Sequence, residues 1–548
     1  MLELLAIGWV LLETIRSRVV PLPDFARRHA AALIALAGLT LFNGLRTGLA
    51  WAVEPVLARF AFVVLAWCFY AYFRRNGNDT RAIRGALAIS LAIVTGLGLA
   101  QVLGVTRALG LEPLFSLTTG DGRSATFGNA NMAAQFVGFA VAFLVAARLA
   151  RAGPDGRWRT VAHDALIAAG LGYMFLVGGR SALLAVAAAF VAVAALAGAR
   201  GRRAVLRPVL LAALLALPVA AIGVFDREAA PRLLAGLDHP LKTESLRIRG
   251  HLWLRTAELI GDRPLGAGSG NFVHAFLPYQ LKDERLRSEE VIYSSPHSEI
   301  LRALAEEGML WCALAAWLLA RLVAAAVRRA RAAGEPSPAT VLTAGGVFLA
   351  VESAFQFPFS MAFGALGAAA LLGLALSFVD GAESVASAEA PRASVARMAV
   401  VGGLVLAAVA LGRLVASDYL AATAGPQGRR VHRACALNPR HVRACVASAW
   451  LEARAGRRQR ARLRATAMLD RSPYYYPAIK LLADESLAQG DARAGCFHLW
   501  VYDTLFGARS SQHEHLTARC EPALLDSFRA SVSVPGYDRF PLAVPAAR

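Results

Sequence analysis

The residues of this chain that can do chemistry lie at the ends of its apolar segments. Arg180 ends the run Val177-Gly178-Gly179-Arg180, and His297 lies in Ser295-Pro296-His297-Ser298. A guanidinium is permanently charged and pairs with anions through a fork of donors, whereas an imidazole exchanges protons near neutral pH. Each also has a structural explanation, since Arg180 can extend toward lipid headgroups and His297 can be a buried hydrogen-bonding group.

More polar residues lie in the long segment before His297. Glu244-Ser245-Leu246-Arg247-Ile248-Arg249-Gly250-His251 begins an amphipathic stretch to Ile260, and Asp262-Arg263-Pro264-Leu265-Gly266-Ala267-Gly268-Ser269-Gly270 follows it. These glycines are similar to a phosphate-binding turn, but no strand precedes them and no Lys-Ser/Thr pair follows. We therefore interpret them as a sharp loop after a surface helix and not as a nucleotide site.

A third motif precedes an apolar segment nearer the N terminus. It is Gly122-Arg123-Ser124-Ala125-Thr126-Phe127-Gly128-Asn129-Ala130-Asn131-Met132. Glycine and asparagine permit tight turns, and Asn131 is placed to cap the following helix. Capping explains part of this motif.

The composition determines what kind of structure positions these residues. The chain has 548 residues, of which 57% are hydrophobic and 18% charged, and its mean hydropathy is +0.48. A soluble protein needs more charge on its surface. We therefore predict an all-α, polytopic integral membrane protein.

Apolar stretches long enough to cross a bilayer recur along the first 416 residues. Crossing takes about 17 to 25 apolar residues in a helix, and we count about twelve such stretches. The first of them contains Glu3 and Glu13 and lacks a cleavage site, so we do not interpret it as a signal peptide. The predicted spans are 2–15, 30–46, 53–73, 85–105, 132–147, 161–177, 181–198, 208–225, 310–327, 341–355, 361–379 and 397–416.

Arginine-rich connectors orient the chain, because loops rich in Lys and Arg stay on the cytoplasmic side. The four such connectors are 74–84, 148–159, 200–207 and 328–331. Counting helices from them places three segments outside, namely 106–131, 225–296 and everything after 416. Arg180 then lies on the outer side, against the usual charge bias, and requires an anionic partner or a headgroup.

The net charge of +20 does not indicate a nucleic-acid-binding protein. Much of the excess lies in membrane connectors, and no groove-reading motif accompanies it. We therefore expect membrane lipids, and no nucleic acid, among the partners.

The six cysteines allow two interpretations. Cys68 and Cys312 lie in predicted spans, and the other four lie in the tail, at 435, 445, 496 and 520. An external tail is able to form disulfides, but free cysteine is most often a small buried thiol, which is the interpretation we favour. No Cys or His spacing indicates zinc.

The last 132 positions differ in character from the rest. Leu437-Asn438-Pro439 recurs as Arg471-Ser472-Pro473, and Gly456 recurs as Gly490, so both offsets are 34 residues. That is the period of tetratricopeptide helix pairs, which stack to bind peptides or partner proteins. We predict a membrane domain at 1–416 with a large outer loop at 226–296, and a helical repeat tail at 417–548. A generic helical tail is the alternative.

Four motifs in this order resemble the O-antigen ligase and polymerase superfamily over about residues 30–380. They are Phe127-Gly128-Asn129-Ala130-Asn131, Gly179-Arg180-Ser181-Ala182-Leu183-Leu184, Arg249 with Trp253 before Asp262-Arg263-Pro264-Leu265-Gly266-Ala267-Gly268, and Pro296-His297-Ser298 before Glu307-Gly308. The last two, which flank one long outer loop, are the most specific. Asn129-Ala130-Asn131 departs from the usual Asn-Pro-Asn of the family.

The resemblance implies a membrane glycosyltransferase of the GT-C type in the bacterial inner membrane, with its tail in the periplasm. Such enzymes pass a glycan from undecaprenyl diphosphate to a hydroxyl of lipid A core, of a second lipid-linked glycan, or of a protein. The family requires no metal and no cofactor. A protein that binds the tail would be a partner in addition to the glycan donor and the acceptor.

The resemblance also implies roles for individual residues. Arg180 and Arg249 match the arginines that neutralise the diphosphate, and His297 matches the histidine that accepts the hydroxyl proton. Arg123 is expected to join the arginines and Glu299 to orient the histidine. Two further residues, Arg247 and His251, are alternatives if the assignment in the loop is displaced by one turn.

Two other classes of protein compete with the transferase. A transporter or flippase would show corresponding halves and ionisable groups at the membrane midplane, whereas Glu352 is the chief acid in the spans and the polar groups gather on one face. A non-catalytic scaffold that displays the repeats would leave Arg180 and His297 unexplained.

Overall fold

A computed structural model describes most of the chain. The described residues are 23–46, 49–102, 105–109, 125, 129–149, 157–225, 244–289, 291–333, 337–381, 412–413, 416–417, 419–421, 428–438, 442–470, 472, 474–506 and 510–530. Throughout these residues the backbone forms helices, turns and connecting segments, without a strand. The protein is all-α, as predicted.

The membrane part is built from long apolar helices. Among the described residues, five helices are long and apolar enough to cross a membrane, which makes the chain a polytopic membrane protein. They contain Arg81–Val102, Ala130–Leu149, Glu299–Ala332, Pro338–Phe355 and Phe363–Asp380. The helices are α1 (Asp24–Arg28), α2 (Ala30–Arg46), α3 (Leu49–Arg75), α4 (Arg81–Val102), α5 (Val105–Ala108), α6 (Ala130–Leu149), α7 (Arg157–Leu176), α8 (Arg180–Phe225), α9 (Glu244–Asp262), α10 (Phe272–Lys282), α11 (Glu299–Ala333), α12 (Ser337–Phe355) and α13 (Ala362–Asp380).

One predicted connector is wrong. The sequence predicts two spans at 181–198 and 208–225 with a basic turn between them, but α8 continues through 46 residues without a break. The connector consists mainly of Arg, Ala, Leu and Val, and the first three are strong helix formers, while its single glycine, Gly201, is tolerated. At about 1.5 Å per residue, α8 is much longer than one crossing requires. The predicted spans 2–15 and 397–416 lie mainly or wholly outside the described residues.

The core of the membrane domain surrounds α6. Every residue of α6 from Ala133 to Ala147 is buried, against α4, α7, α8 and α12. Small residues permit this close approach: a Cβ on Gly98 would lie 2.2 Å from the Tyr173 ring, and one on Gly138 would lie 2.7 Å from Phe348. Membrane helices commonly pack through such positions. The packing of α8 and α12 on α6 brings the first turn of α8 near the last turn of α12.

The large loop has a hydrophobic core of its own. Helices α9 and α10 contribute to a buried cluster that also includes α11. Its members are Leu252, Leu259, Ala267, Phe272, Ala275, Phe276, Tyr279, Leu286 and Ala305. The loop is therefore a folded cap on the N-terminal end of α11.

Two glycines fasten this cap to α11. Gly266 (φ 88°), in the turn after α9, lies against Gly308 (φ 85°), where α11 is kinked. The backbone N–H of Ala267 donates to the carbonyl of Ala305 at 2.7 Å, and that of Met309 donates to the carbonyl of Pro264 at 2.8 Å. The glycine-rich turn is thus a packing joint, as the interpretation of a sharp loop requires.

Gly308→Ala is expected to destabilise the protein strongly. Its backbone, at φ 85° and ψ 168°, lies in a region that is nearly restricted to glycine, and a Cβ would lie 2.4 Å from the carbonyl carbon of Leu265. We expect a loss of about 3 kcal/mol, measured as a lower melting temperature in detergent. Gly346→Ala on α12 is the matched control, because nothing lies within 4 Å of its Cβ position. Equal melting temperatures would contradict the prediction.

The tail is a series of helical hairpins. The second helix pair repeats the first at an offset of 34 residues, since Val442 and Tyr476 begin the two first helices and Arg454 and Ala488 end them. Gly456 (φ 75°) and Gly490 (φ 80°) follow these helices. The tail helices are α14 (Gly428–Leu437), α15 (Val442–Arg454), α16 (Arg458–Leu469), α17 (Tyr476–Ala488), α18 (Ala492–Phe506), α19 (His513–Arg519) and α20 (Pro522–Ala530). The tetratricopeptide assignment stays a prediction.

The four tail cysteines are paired, so the favoured interpretation as free thiols is wrong for them. Disulfides join Cys435 to Cys445 and Cys496 to Cys520. Cys68 and Cys312, in the membrane helices, are free. The pairs bring together residues 10 and 24 positions apart, and spacing alone does not specify such pairings.

The tail packs onto the large loop that contains α9 and α10. Leu277 and Leu281 of α10 share a buried cluster with Tyr476, Tyr502 and Phe506 of the tail. Polar contacts continue the interface, since the backbone N–H of Ser511 donates to Glu289 at 2.6 Å and Arg287 donates to the Phe506 carbonyl at 3.4 Å. The repeats are therefore held beside the loop that carries His297.

Leu281→Asp is expected to separate the tail from the loop. Leu281 is 5% exposed, and burial of such a side chain contributes about 2 kcal/mol, which a buried unpaired carboxylate would more than cancel. The measurement is the rate of trypsin cleavage within the Arg-rich α16, which should rise. Leu254→Asp, at a position of α9 that is already 57% exposed, is the control and should leave cleavage within α16 unchanged. Unchanged cleavage in Leu281→Asp would contradict this interface.

Candidate active site

The start of α8 is fixed by the two glycines before it. Gly178 has a φ of 69°, and Gly179 packs so closely on α6 that a Cβ would lie 2.4 Å from that of Ala134. This close approach places Arg180 and Ser181 at the N-terminal turn of α8. The side chain of Arg180 is exposed, and the positive end of the helix dipole adds to its charge.

Arg249 lies on α9 and reaches the end of α12. Its Nη1 donates to the carbonyl of Phe355 at 3.5 Å. Burial lowers the pKa of Arg249, the Glu352 carboxyl raises it, and Arg180 lowers it further. Since an arginine remains charged in proteins, two cations face one acid here. Such a site has an excess of positive charge and attracts an anion.

Glu352 is the residue of this group that lies deepest. It is fully buried on α12 and interacts with Arg249 and with the hydroxyl of Ser181. An acid in an apolar helix is usually functional, and here its charge interacts with that of the Arg249 guanidinium. Glu352 lies in the last turn of α12 and not at its middle, which does not favour a transport role.

His297 interacts with the same group of residues. Its φ is 52°, its backbone N–H donates to the Ser295 hydroxyl at 3.2 Å, and its ring lies 5.6 Å from that of Phe357. Burial lowers the pKa of His297, Arg249 lowers it as well, and a hydrogen bond with Gln356 raises it. The imidazole is therefore neutral at neutral pH, which is the form that accepts a proton.

Gln356 connects the three segments. It is 3% exposed, its Nε2 donates to the Ser181 hydroxyl at 3.4 Å, and its carbonyl accepts the backbone N–H of Glu299 at 2.8 Å. The structure thus brings together Arg180, Arg249 and His297 from segments far apart in sequence. Sequence reasoning noted Glu352 only as the chief acid of the spans and missed Gln356. An acid in an apolar span was the signal for Glu352.

The remaining candidate residues lie elsewhere. Arg247 is exposed on α9, and Arg123 lies outside the described residues. Glu299 forms an ion pair with Arg302, so its carboxylate is engaged there and not with the histidine. Asn129, and not Asn131, caps α6, because its Oδ1 accepts the N–H of Asn131 at 2.8 Å, as an N-cap residue does.

His251 has a structural partner. Its Nδ1 lies 2.9 Å from Oδ2 of Asp283, which also accepts from Arg255 at 3.0 Å. Burial alone would raise the pKa of Asp283, but the hydrogen bonds from His251 and Arg255 outweigh it and lower the pKa. This group fastens α9 to the end of α10.

A second buried group of charges anchors the kink of α11. Arg59 of α3 forms an ion pair with Glu307 and donates to the Ser269 hydroxyl at 2.9 Å. Asn43 donates to the Glu307 carbonyl at 2.7 Å. Sequence reasoning did not identify Arg59 or Asn43. Within the described part of the chain, no cluster of three or more His, Cys, Asp or Glu residues is arranged to hold a metal ion.

The site and its surroundings correspond to a known family. Residues 165–318 match the family described as O-antigen ligase, and this segment contains Arg180, Arg249 and His297. No curated protein matches the chain. The match confirms the resemblance, so the chain carries a domain of the O-antigen ligase superfamily. Its general activity is therefore glycan transfer of the O-antigen ligase type, at a membrane.

Proposed function

We propose that the protein transfers a glycan from undecaprenyl diphosphate to an acceptor hydroxyl at the periplasmic face of the bacterial inner membrane. The observation that carries the proposal is the convergence of Arg180, Arg249 and His297 on one site. Two guanidinium groups beside one neutral imidazole suit a reaction in which an anion leaves and a proton is removed.

The proposed reaction assigns a role to each of these residues. His297 accepts the proton of the acceptor hydroxyl while the oxygen of that hydroxyl bonds to the anomeric carbon of the donor glycan. The bond from that carbon to the diphosphate oxygen breaks, and undecaprenyl diphosphate leaves with the electron pair. Arg180 and Arg249 stabilise the charge that develops on the diphosphate. The charge of Glu352 interacts with that of Arg249. The two guanidinium groups supply the positive charge that the leaving group needs, so the proposed mechanism uses no metal ion.

The tail contributes to the choice of acceptor. Its two disulfides are typical of an oxidising compartment, and its helix pairs pack on the loop beside the site. We therefore place the tail in the periplasm and assign it the binding of an acceptor or an assembly partner. This role favours a polysaccharide polymerase or a protein O-oligosaccharyltransferase slightly over a lipid A core ligase.

The test is transfer by the purified protein in proteoliposomes. Undecaprenyl-diphosphate-linked glycan from the host is the donor, and lipid A core, a second portion of the donor and a Ser/Thr-containing host protein are offered separately as acceptors. Glycan on one acceptor, with release of undecaprenyl diphosphate, is the expected result. Release with no acceptor, or movement of intact donor across the bilayer without transfer, would overturn the proposal.

A further inference from the structure

The backbone of His297 has a conformation that histidine rarely adopts. Its φ of 52° lies in the left-handed region, where a side chain other than glycine is disfavoured. Such a conformation persists only where the surroundings impose it, and it is common at functional sites. The residues on either side of His297 therefore determine where its ring lies.

One anchor acts on the residue before His297. The indole Nε1 of Trp253 donates to the carbonyl of Pro296 at 2.9 Å. The Trp253 ring also packs against Phe355 of α12, with ring centroids 6.0 Å apart. Trp253 lies one turn after Arg249 on α9. This hydrogen bond therefore joins the segment that contains His297 to the helix that contains Arg249.

A second anchor acts on the residues after His297. The backbone N–H of Glu299 donates to the carbonyl of Gln356 at 2.8 Å, and the hydroxyl of Ser298 donates to the carbonyl of Ser353 at 3.4 Å. The Gln356 side chain in turn donates to Ser181 at 3.4 Å. This anchor ties the same segment to α12 and to the start of α8.

We propose that Trp253 and Gln356 are positioning residues that hold His297 in its left-handed conformation beside Arg249. The inference rests on the proposed function, because it assigns their effect to the base of that reaction. Neither residue supplies charge or accepts the proton. They act through His297, so that their loss should change the chemical step and leave donor binding intact.

The first test is Trp253→Phe, which removes the indole N–H and retains an aromatic ring against Phe355. We expect kcat for transfer to fall by between about 10-fold and 100-fold, as for a small misplacement of a catalytic group, with an unchanged KM for the undecaprenyl-diphosphate-linked donor. Trp317→Phe is the matched control, since this ring is 47% exposed on α11. A wild-type kcat in Trp253→Phe would overturn the role of Trp253.

The second test is Gln356→Leu, which retains the side-chain volume and the backbone carbonyl. The Gln356 side chain raises the pKa of His297, whereas burial and Arg249 lower it. The other charged groups nearby act indirectly: Arg180 and Glu352 interact with Arg249, and Glu299 is paired with Arg302. Removal of the glutamine amide should therefore move the pKa of His297 further down.

Two measurements detect this shift in the pKa of His297. First, the acid limb of the plot of kcat against pH should move to lower pH. Second, the ring signal of His297 should titrate at lower pH. This signal is recorded by NMR with 13C-labelled histidine and assigned with His297→Ala. Unchanged values in Gln356→Leu would overturn its role. The NMR titration needs no substrate, so it decides the matter even if a variant transfers too slowly to assay.

The variants distinguish failure of the positioning role of Trp253 and Gln356 from failure of the proposed function. Normal transfer by His297→Ala would overturn the mechanism itself. Loss of transfer in His297→Ala, together with wild-type kcat in Trp253→Phe and an unshifted titration in Gln356→Leu, would overturn the positioning role alone. If Trp253→Phe yields too little folded protein, the titration of Gln356→Leu still tests the inference.

Discussion

His297→Ala is expected to abolish glycan transfer while leaving membrane insertion and thermal stability intact. A positioned general base typically contributes about 10²-fold to 10⁴-fold, and among the described residues of the site His297 is the histidine whose pKa is lowered by burial and by the charge of Arg249. The measurement is transfer from undecaprenyl-diphosphate-linked glycan by the purified variant. Its melting temperature, compared with that of the wild type, establishes that the fold is retained.

The matched control is His515→Ala, which removes an exposed histidine of the tail. It should leave transfer unchanged. Normal transfer by His297→Ala would contradict the mechanism, and loss of transfer in both variants would show that the assay responds to something other than the base.

The wild-type pH profile should agree with the same assignment. Because burial and Arg249 lower the pKa of His297 below its ordinary value, the imidazole stays neutral as the pH falls from neutrality to the ordinary histidine pKa. The rate should then fall only at lower pH, where the ring becomes protonated and no longer accepts a proton. A fall that begins at or above the ordinary histidine pKa would contradict a buried base.

Local composition was sufficient to predict much of the membrane domain. The predicted span at 30–46 has the same bounds as α2, because an apolar run bounded by charged residues marks a membrane helix directly. The same approach failed for one predicted connector, because none of its residues breaks a helix. The basic stretch at 200–207 carries the charge of a connector but no helix-breaking sequence, and α8 continues through it.

Contacts between segments far apart in the chain were harder to predict from the sequence. The motif order placed Arg180, Arg249 and His297 in one family pattern, but helix periodicity does not determine which helix ends meet. Glu352 and Gln356 enter the site only because α12 packs against both α6 and α8. The pairing of His251 with Asp283 likewise depends on tertiary neighbours that sequence does not specify, whereas Glu299 and Arg302 lie three residues apart on α11 and pair through helix geometry alone.

Arg249→Ala is the second prediction with a large expected effect. Removing one group that stabilises developing charge typically costs about 10²-fold to 10³-fold in rate, and here Arg180 would remain as the other guanidinium at the diphosphate. Arg249→Ala also leaves the fully buried Glu352 without its cationic neighbour. We therefore expect kcat/KM to fall by at least that factor, measured with the undecaprenyl-diphosphate-linked donor.

Arg249→Lys separates charge from geometry. Lysine retains the positive charge near Glu352 but does not form two parallel hydrogen bonds with a diphosphate, so its activity should lie between those of Arg249→Ala and the wild type. Binding of undecaprenyl diphosphate without glycan should weaken in the same order, which ties the loss to the leaving group. Arg285→Ala, an exposed residue of the same loop, is the control. If Arg249→Ala bound undecaprenyl diphosphate as tightly as Arg285→Ala does, the anion site would have to be assigned to other residues.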